Sequence, residues 1–154
     1  MKTFSSSSTP DHKSNQHLQY FIEGHSRAVK HQFEVSIKIF ESYLSRRNIL
    51  CQIRGENTGP TTICDMSTNI GYACFHDFLH NLVYSCSKDT LQKYLSFGTI
   101  ASITSKIRRI LLHFLALNGI AIPSNHYLSD KAFHRSLENV KSIILKRQVI
   151  PNYI

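Results

Sequence analysis

KDTLQKYLSFGTIASITSKIRRILLHFLALNG, the stretch from Lys88 to Gly119, decides the fold class of this chain. Leu91, Leu95, Gly98 and Ser102, and then Ile103, Ile107, Ile110, Phe114 and Leu117, recur at spacings of three and four, the helical period. Ile100, Leu111, Leu112 and Leu115 fall on its other sides, so little of its circumference is polar. A helix that is apolar on most faces is a buried one, and the stretch predicts the central element of an all-α bundle. Gly98 stands inside it, where glycine costs about 1 kcal/mol against alanine. That cost points to a neighbouring backbone or a bound helix coming close at this position.

On the C-terminal side, Asn118-Gly119 and then Pro123 stop the helix. A last helix is predicted from about Ser129 to Gln148, with Phe133, Leu137, Val140 and Ile144 on one face and Pro151 as its terminator. On the N-terminal side, Ile70, Ala73, Cys74, Phe78, Leu82 and Val83 line one face of a segment from about Asp65 to Ser85, and Ser87 marks a break before Lys88. GENTGPTT, from Gly55 to Thr62, is a loop, preceded at 48–56 by one or two amphipathic turns. An earlier helical pattern from about Gln16 to Arg47, broken near Gly24, carries Phe33, Ile37, Phe40 and Leu44 on a single face. Residues 1–16 are polar and serine-rich and read as a disordered tail. With neither an internal repeat nor an alternating strand pattern, residues 17–154 predict one domain, a helical bundle of five to seven helices around a buried central hairpin.

Composition narrows the classes. At 154 residues the chain is long enough to bury a core, and a formal net charge of +8 permits contact with nucleic acid or anionic membrane without demanding either. The basic residues are scattered, as at Arg46–Arg47, Lys106 with Arg108–Arg109, and Lys141 with Lys146–Arg147, which is the pattern of solvated helix faces. Cys51, Cys64, Cys74 and Cys86 form no Cys-x-x-Cys pair. No apolar run follows Met1-Lys2, and no window approaches the ~20 apolar residues of a membrane span, so the expectation is a reduced, intracellular, cytoplasmic protein without a transmembrane anchor.

Few residues suggest chemistry. His76 and His80 stand four apart with Cys74 and Cys86 near, but structural zinc sites use tight ligand pairs, and no metal site is predicted. Arg108 and His113 resemble the R-x4-H motif of HEPN-type ribonucleases, a family in which histidine supplies acid–base chemistry across a dimer. The plainer reading leaves Arg108 and Arg109 in solvent and His113 at a core edge. There is no catalytic triad, glycine-rich phosphate loop or carboxylate pair. The expectation is a protein that is not an enzyme, with no catalytic residue, no cofactor and no small-molecule substrate.

Two segments together resemble the Bcl family of apoptosis regulators. VSIKIFESYLSRRNI (Val35 to Ile49) is similar to that family's opening helix, and YLSFGTIASITSKIRRILLH (Tyr94 to His113) to the helix that carries its Asn-Trp-Gly-Arg motif. ACFHDFLHNLVY (Ala73 to Tyr84) resembles the helix before it, and VKSIILKRQVIPNY the last conserved segment. The resemblance covers roughly Val35 to Tyr153. Ser96-Phe97-Gly98-Thr99 occupies the four-residue motif with only the glycine retained, so the arginine that pairs with a ligand aspartate is replaced by Thr99.

The resemblance implies a Bcl-like bundle that holds amphipathic helices of pro-apoptotic proteins in an apolar groove and so blocks cell death. Phe75, Phe78, Leu79, Leu82, Val83, Phe97 and Ile100 would form its walls, and Gly98 would admit the ligand helix. Lys93 or Arg54 would stand in for the cation missing at Thr99. It also implies pro-apoptotic helix-bearing partners, with mitochondria reached through them. Sequence drift and small size suit a viral member acting in host–virus interaction. The alternative is a basic nucleic-acid-directed protein such as a HEPN-like ribonuclease, and a homodimer is compatible with either.

Overall fold

The structure, a computed structural model, describes residues 16–63, 72–85 and 94–153, which are helix and connection without an extended strand. The chain is an all-α helical bundle. Helix α1 spans 16–23, α2 Arg27–Ile53, α3 Tyr72–Val83, α4 Phe97–Leu117 and α5 Asp130–Tyr153. No helix among the described residues is long and apolar enough to cross a membrane. The tail up to residue 15, together with Cys64, Cys86 and Lys93, lies outside the described residues.

The packing divides into two compact units, one from residues up to 69 with Lys106–Gly119, the other Ile70–Ser105 with Ile120–Ile154. In the first, the break near Gly24 is present, and Ser26 caps α2 by accepting the Val29 N–H at 3.4 Å. Phe33, Phe40 and Leu44 are buried as the single-face pattern requires. The separate amphipathic turns expected after Arg47 do not form. The helix runs on through Ile53, because the first residue able to stop it is Gly55, at φ +73°. There the Gly55 N–H reaches the Gln52 carbonyl and the Glu56 N–H the Cys51 carbonyl, a left-handed closure that satisfies two orphan acceptors. The following loop is held by a polar side chain that continues the buried face, four residues after Leu44. Asn48, buried on α2, accepts the Gly59 N–H at 2.7 Å and donates to the Pro60 carbonyl at 3.0 Å.

In the second unit α3 and α5 pack together. Ser129 caps α5 from its side chain to the Ala132 N–H at 3.4 Å, and Asp130 adds negative charge to the first turn, where the helix dipole favours it. Phe133, Val140 and Ile144 are buried on the expected face. Pro151 does not end the helix, which continues to Tyr153.

The long stretch itself needs two corrections. It is not one helix from Lys88, since Tyr94, Leu95 and Ser96 are not helical and α4 begins at Phe97. Gly98 is therefore in a first turn rather than a helix interior. From there the apolar reading holds, with Ile100, Ile103, Ile107, Ile110, Leu111, Phe114 and Leu115 all buried. Thr104 joins them by turning its hydroxyl back to the Ile100 carbonyl at 2.8 Å. Gly119, at φ +71°, closes the helix where Asn-Gly was expected to.

Candidate functional site

The start of α4 is built by its cap. The Ser96 hydroxyl accepts the Thr99 N–H at 3.2 Å and lies 3.0 Å from the Thr99 hydroxyl, which fixes the Ser96–Thr99 turn. Phe97 is half-buried, and Gly98 and Thr99 are exposed. A Cβ added at Gly98 would meet nothing nearer than the Ser96 Oγ at 3.9 Å. No backbone of the described chain approaches this glycine, so the internal close contact that its position suggested is not what it serves.

The apolar residues assigned to the groove are buried in the same compact unit. Phe75, Leu79 and Leu82 are each only 2% exposed, and Phe78, Val83 and Ile100 are 0% exposed. Their placement follows from periodicity: 75, 78, 79 and 82 repeat at three and four along α3. Phe75 packs its ring against Phe133 and Tyr127, at centroid distances of 6.3 and 5.5 Å. These side chains form a closed apolar layer, and a helix ligand would reach them only where that layer parts.

Two cations of the scattered basic group at 141–147 make specific contacts in this unit. The Lys141 ammonium on α5 lies 5.6 Å from the Phe97 ring centroid, a cation–π distance at the edge of the Ser96–Thr99 turn. Arg147, read as part of a solvated pair, is instead 5% exposed. Its guanidinium donates to the carbonyl of Val83, the last residue of α3, and to the Leu95 carbonyl at 3.2 Å, and it stacks 4.5 Å from the Tyr94 ring centroid. A cation at a helix C-terminus satisfies acceptors that have no partner inside the helix. Arg147 thus ties α3 and the connection before α4 to α5. Position alone could have suggested Lys141, which is next to buried Val140 and three residues before buried Ile144 on the same helix. Arg147, three residues after Ile144, continues the repeat of Phe133, Leu137, Val140 and Ile144, whereas its exposed neighbour Lys146 falls off it.

A second feature of this unit is a polar cleft of about 430 Å³, lined by His76, His126, Tyr127, Arg135, Ser136 and Asn139 among others. His126 Nδ1 accepts the Leu128 N–H at 3.0 Å, and partial burial lowers its pKa. Burial, followed by the neighbouring Cys74, raises that of the Tyr127 phenol. None of the residues assigned to the groove lines this cleft.

The chemical alternatives can be placed as well. His76 and His80 do come together, with ring centroids 4.9 Å apart, but no group of three or more potential metal ligands exists among the described residues. Arg108 and His113 are five residues apart on α4, which sets them about 140° apart around its axis. His113 packs on Phe21 at 4.7 Å, and burial, then the positive charge of His17, lowers its pKa. Arg109 is exposed and lies over Phe33 at 5.2 Å. Arg54, offered as a substitute cation, is the C-cap of α2 and belongs to the other compact unit from Thr99.

No protein-family model, curated protein or solved structure matches this chain.

Proposed function

We propose that the chain is an anti-apoptotic regulator of Bcl type that sequesters amphipathic pro-apoptotic helices at the start of α4. The observation that carries this reading is the open glycine. Gly98 presents bare backbone on an exposed turn, next to half-buried Phe97. An incoming helix presents apolar anchors at i, i+3/i+4 and i+7 and needs close backbone approach at its small residue; seating them requires the closed α3 layer to part. Thr99 has no charge to set against a ligand carboxylate, and the nearness of Lys141 to Phe97 supports it as the replacement cation.

Calorimetric titration of the purified protein with a panel of pro-apoptotic helix peptides tests the reading. Sub-micromolar binding of at least one peptide is expected. A folded helical sample that gives no heat with any of them would refute it.

A further inference from the structure

The last turns of α2 carry a feature that the helix-binding reading does not use. Ile49, Leu50 and Ile53 are 56%, 51% and 76% exposed, so three adjacent aliphatic side chains stand in solvent. With Arg46 they span about 100° of the helix circumference, and the exposed Val35 lies further back along the same line. Arg46 sits within this arc, and exposed Arg54 follows it at the C-cap. The carboxylates of α2 are elsewhere. Glu34 and Glu41 fall roughly 110° and 130° from the arc's centre, and Glu41 is engaged with the Ile63 N–H at 2.9 Å. Glu56 lies beyond the left-handed closure at Gly55.

We infer that this arc docks on an anionic phospholipid surface. It is the convex side of a helix, with aliphatic side chains able to enter the headgroup boundary and arginines able to keep their charge among lipid phosphates while their stems stay apolar. Charge decides the occupant. Cations inside and beside an aliphatic ridge, with the acids turned away and a chain net charge of +8, complement a negatively charged bilayer, which demands no matching concavity.

The chain contains no tryptophan, so Ile53→Trp makes a single reporter in the middle of the arc. With phosphatidylcholine vesicles containing phosphatidylserine, its emission should shift to the blue and be quenched by brominated acyl chains. With phosphatidylcholine alone, neither should occur. Sedimentation of the unlabelled protein with the anionic vesicles should fall at least tenfold in Arg46→Glu/Arg54→Glu and in Ile49→Ser/Ile53→Ser. All these positions are exposed, and circular dichroism would confirm unchanged helicity. Binding indifferent to phosphatidylserine, sedimentation unaffected by either double variant, or a blue shift that tracks protein concentration without vesicles would each overturn the proposal. The last would assign the arc to a second copy of the chain.

Discussion

Gly98 and Arg147 show how differently two residues of one unit are constrained. Gly98 has helical neighbours and open space around it, so Gly98→Ala should stabilise the protein by about 0.5 kcal/mol through helix propensity alone. Gly98→Arg should leave the fold and helicity intact while abolishing peptide binding. Unchanged affinity in that variant would separate the glycine from function. Arg147 has no such freedom. Replacing it with leucine strands the Val83 and Leu95 carbonyls, and a loss of about 2–4 kcal/mol in chemical denaturation is expected. A loss below about 0.5 kcal/mol would show that those carbonyls find water instead.

The elements show which signals in the chain were legible. Gly55 and Gly119 mark helix ends because each adopts a positive φ that L side chains resist, so Gly55→Ala should cost about 1 kcal/mol in thermal unfolding. Asn48→Ala should cost about 2 kcal/mol, since it frees the loop at Gly59 and Pro60 from α2. The buried faces of α3, α4 and α5 were readable from spacing, because packing selects the same three-and-four repeat that the eye detects. The start of α4 was not. Apolar periodicity runs unbroken through Tyr94 and Leu95, and only the Ser96 hydroxyl, taken up by the Thr99 N–H, shows that the helix begins there. Pro151 misled in the opposite sense, since proline removes one hydrogen bond from a helix but need not terminate it. Asn48, Thr104 and Arg147 are buried polar groups whose partners are carbonyls and amides, and composition gives no view of those. The candidate site was legible as a list of apolar positions. That its layer is closed and that Lys141 adjoins Phe97 were not.

At the scale of the whole molecule, proton linkage gives a further test. Burial lowers the pKa of both His113 and His126 below the ordinary 6.5, with His17 adding to the effect at His113. Each therefore binds protons more readily when unfolded, so stability rises with pH across its titration range. The contribution is complete above about pH 6.5 and disappears as pH falls through the lowered folded values. Unfolding midpoints should decline on acidification from about pH 7 to about pH 5, and less steeply in His113→Gln/His126→Gln. Identical slopes in the two proteins would remove these histidines from the pH response.

The central claim is that a partner helix seats at the start of α4. Backbone amide chemical-shift mapping of the labelled protein, titrated with the tightest-binding pro-apoptotic peptide, tests it most directly. The account predicts perturbations concentrated at Phe97–Ile100, along Phe75–Val83 and at Lys141, saturating with the peptide. Saturable binding whose perturbations fall outside those positions, or no perturbation at all, would contradict it.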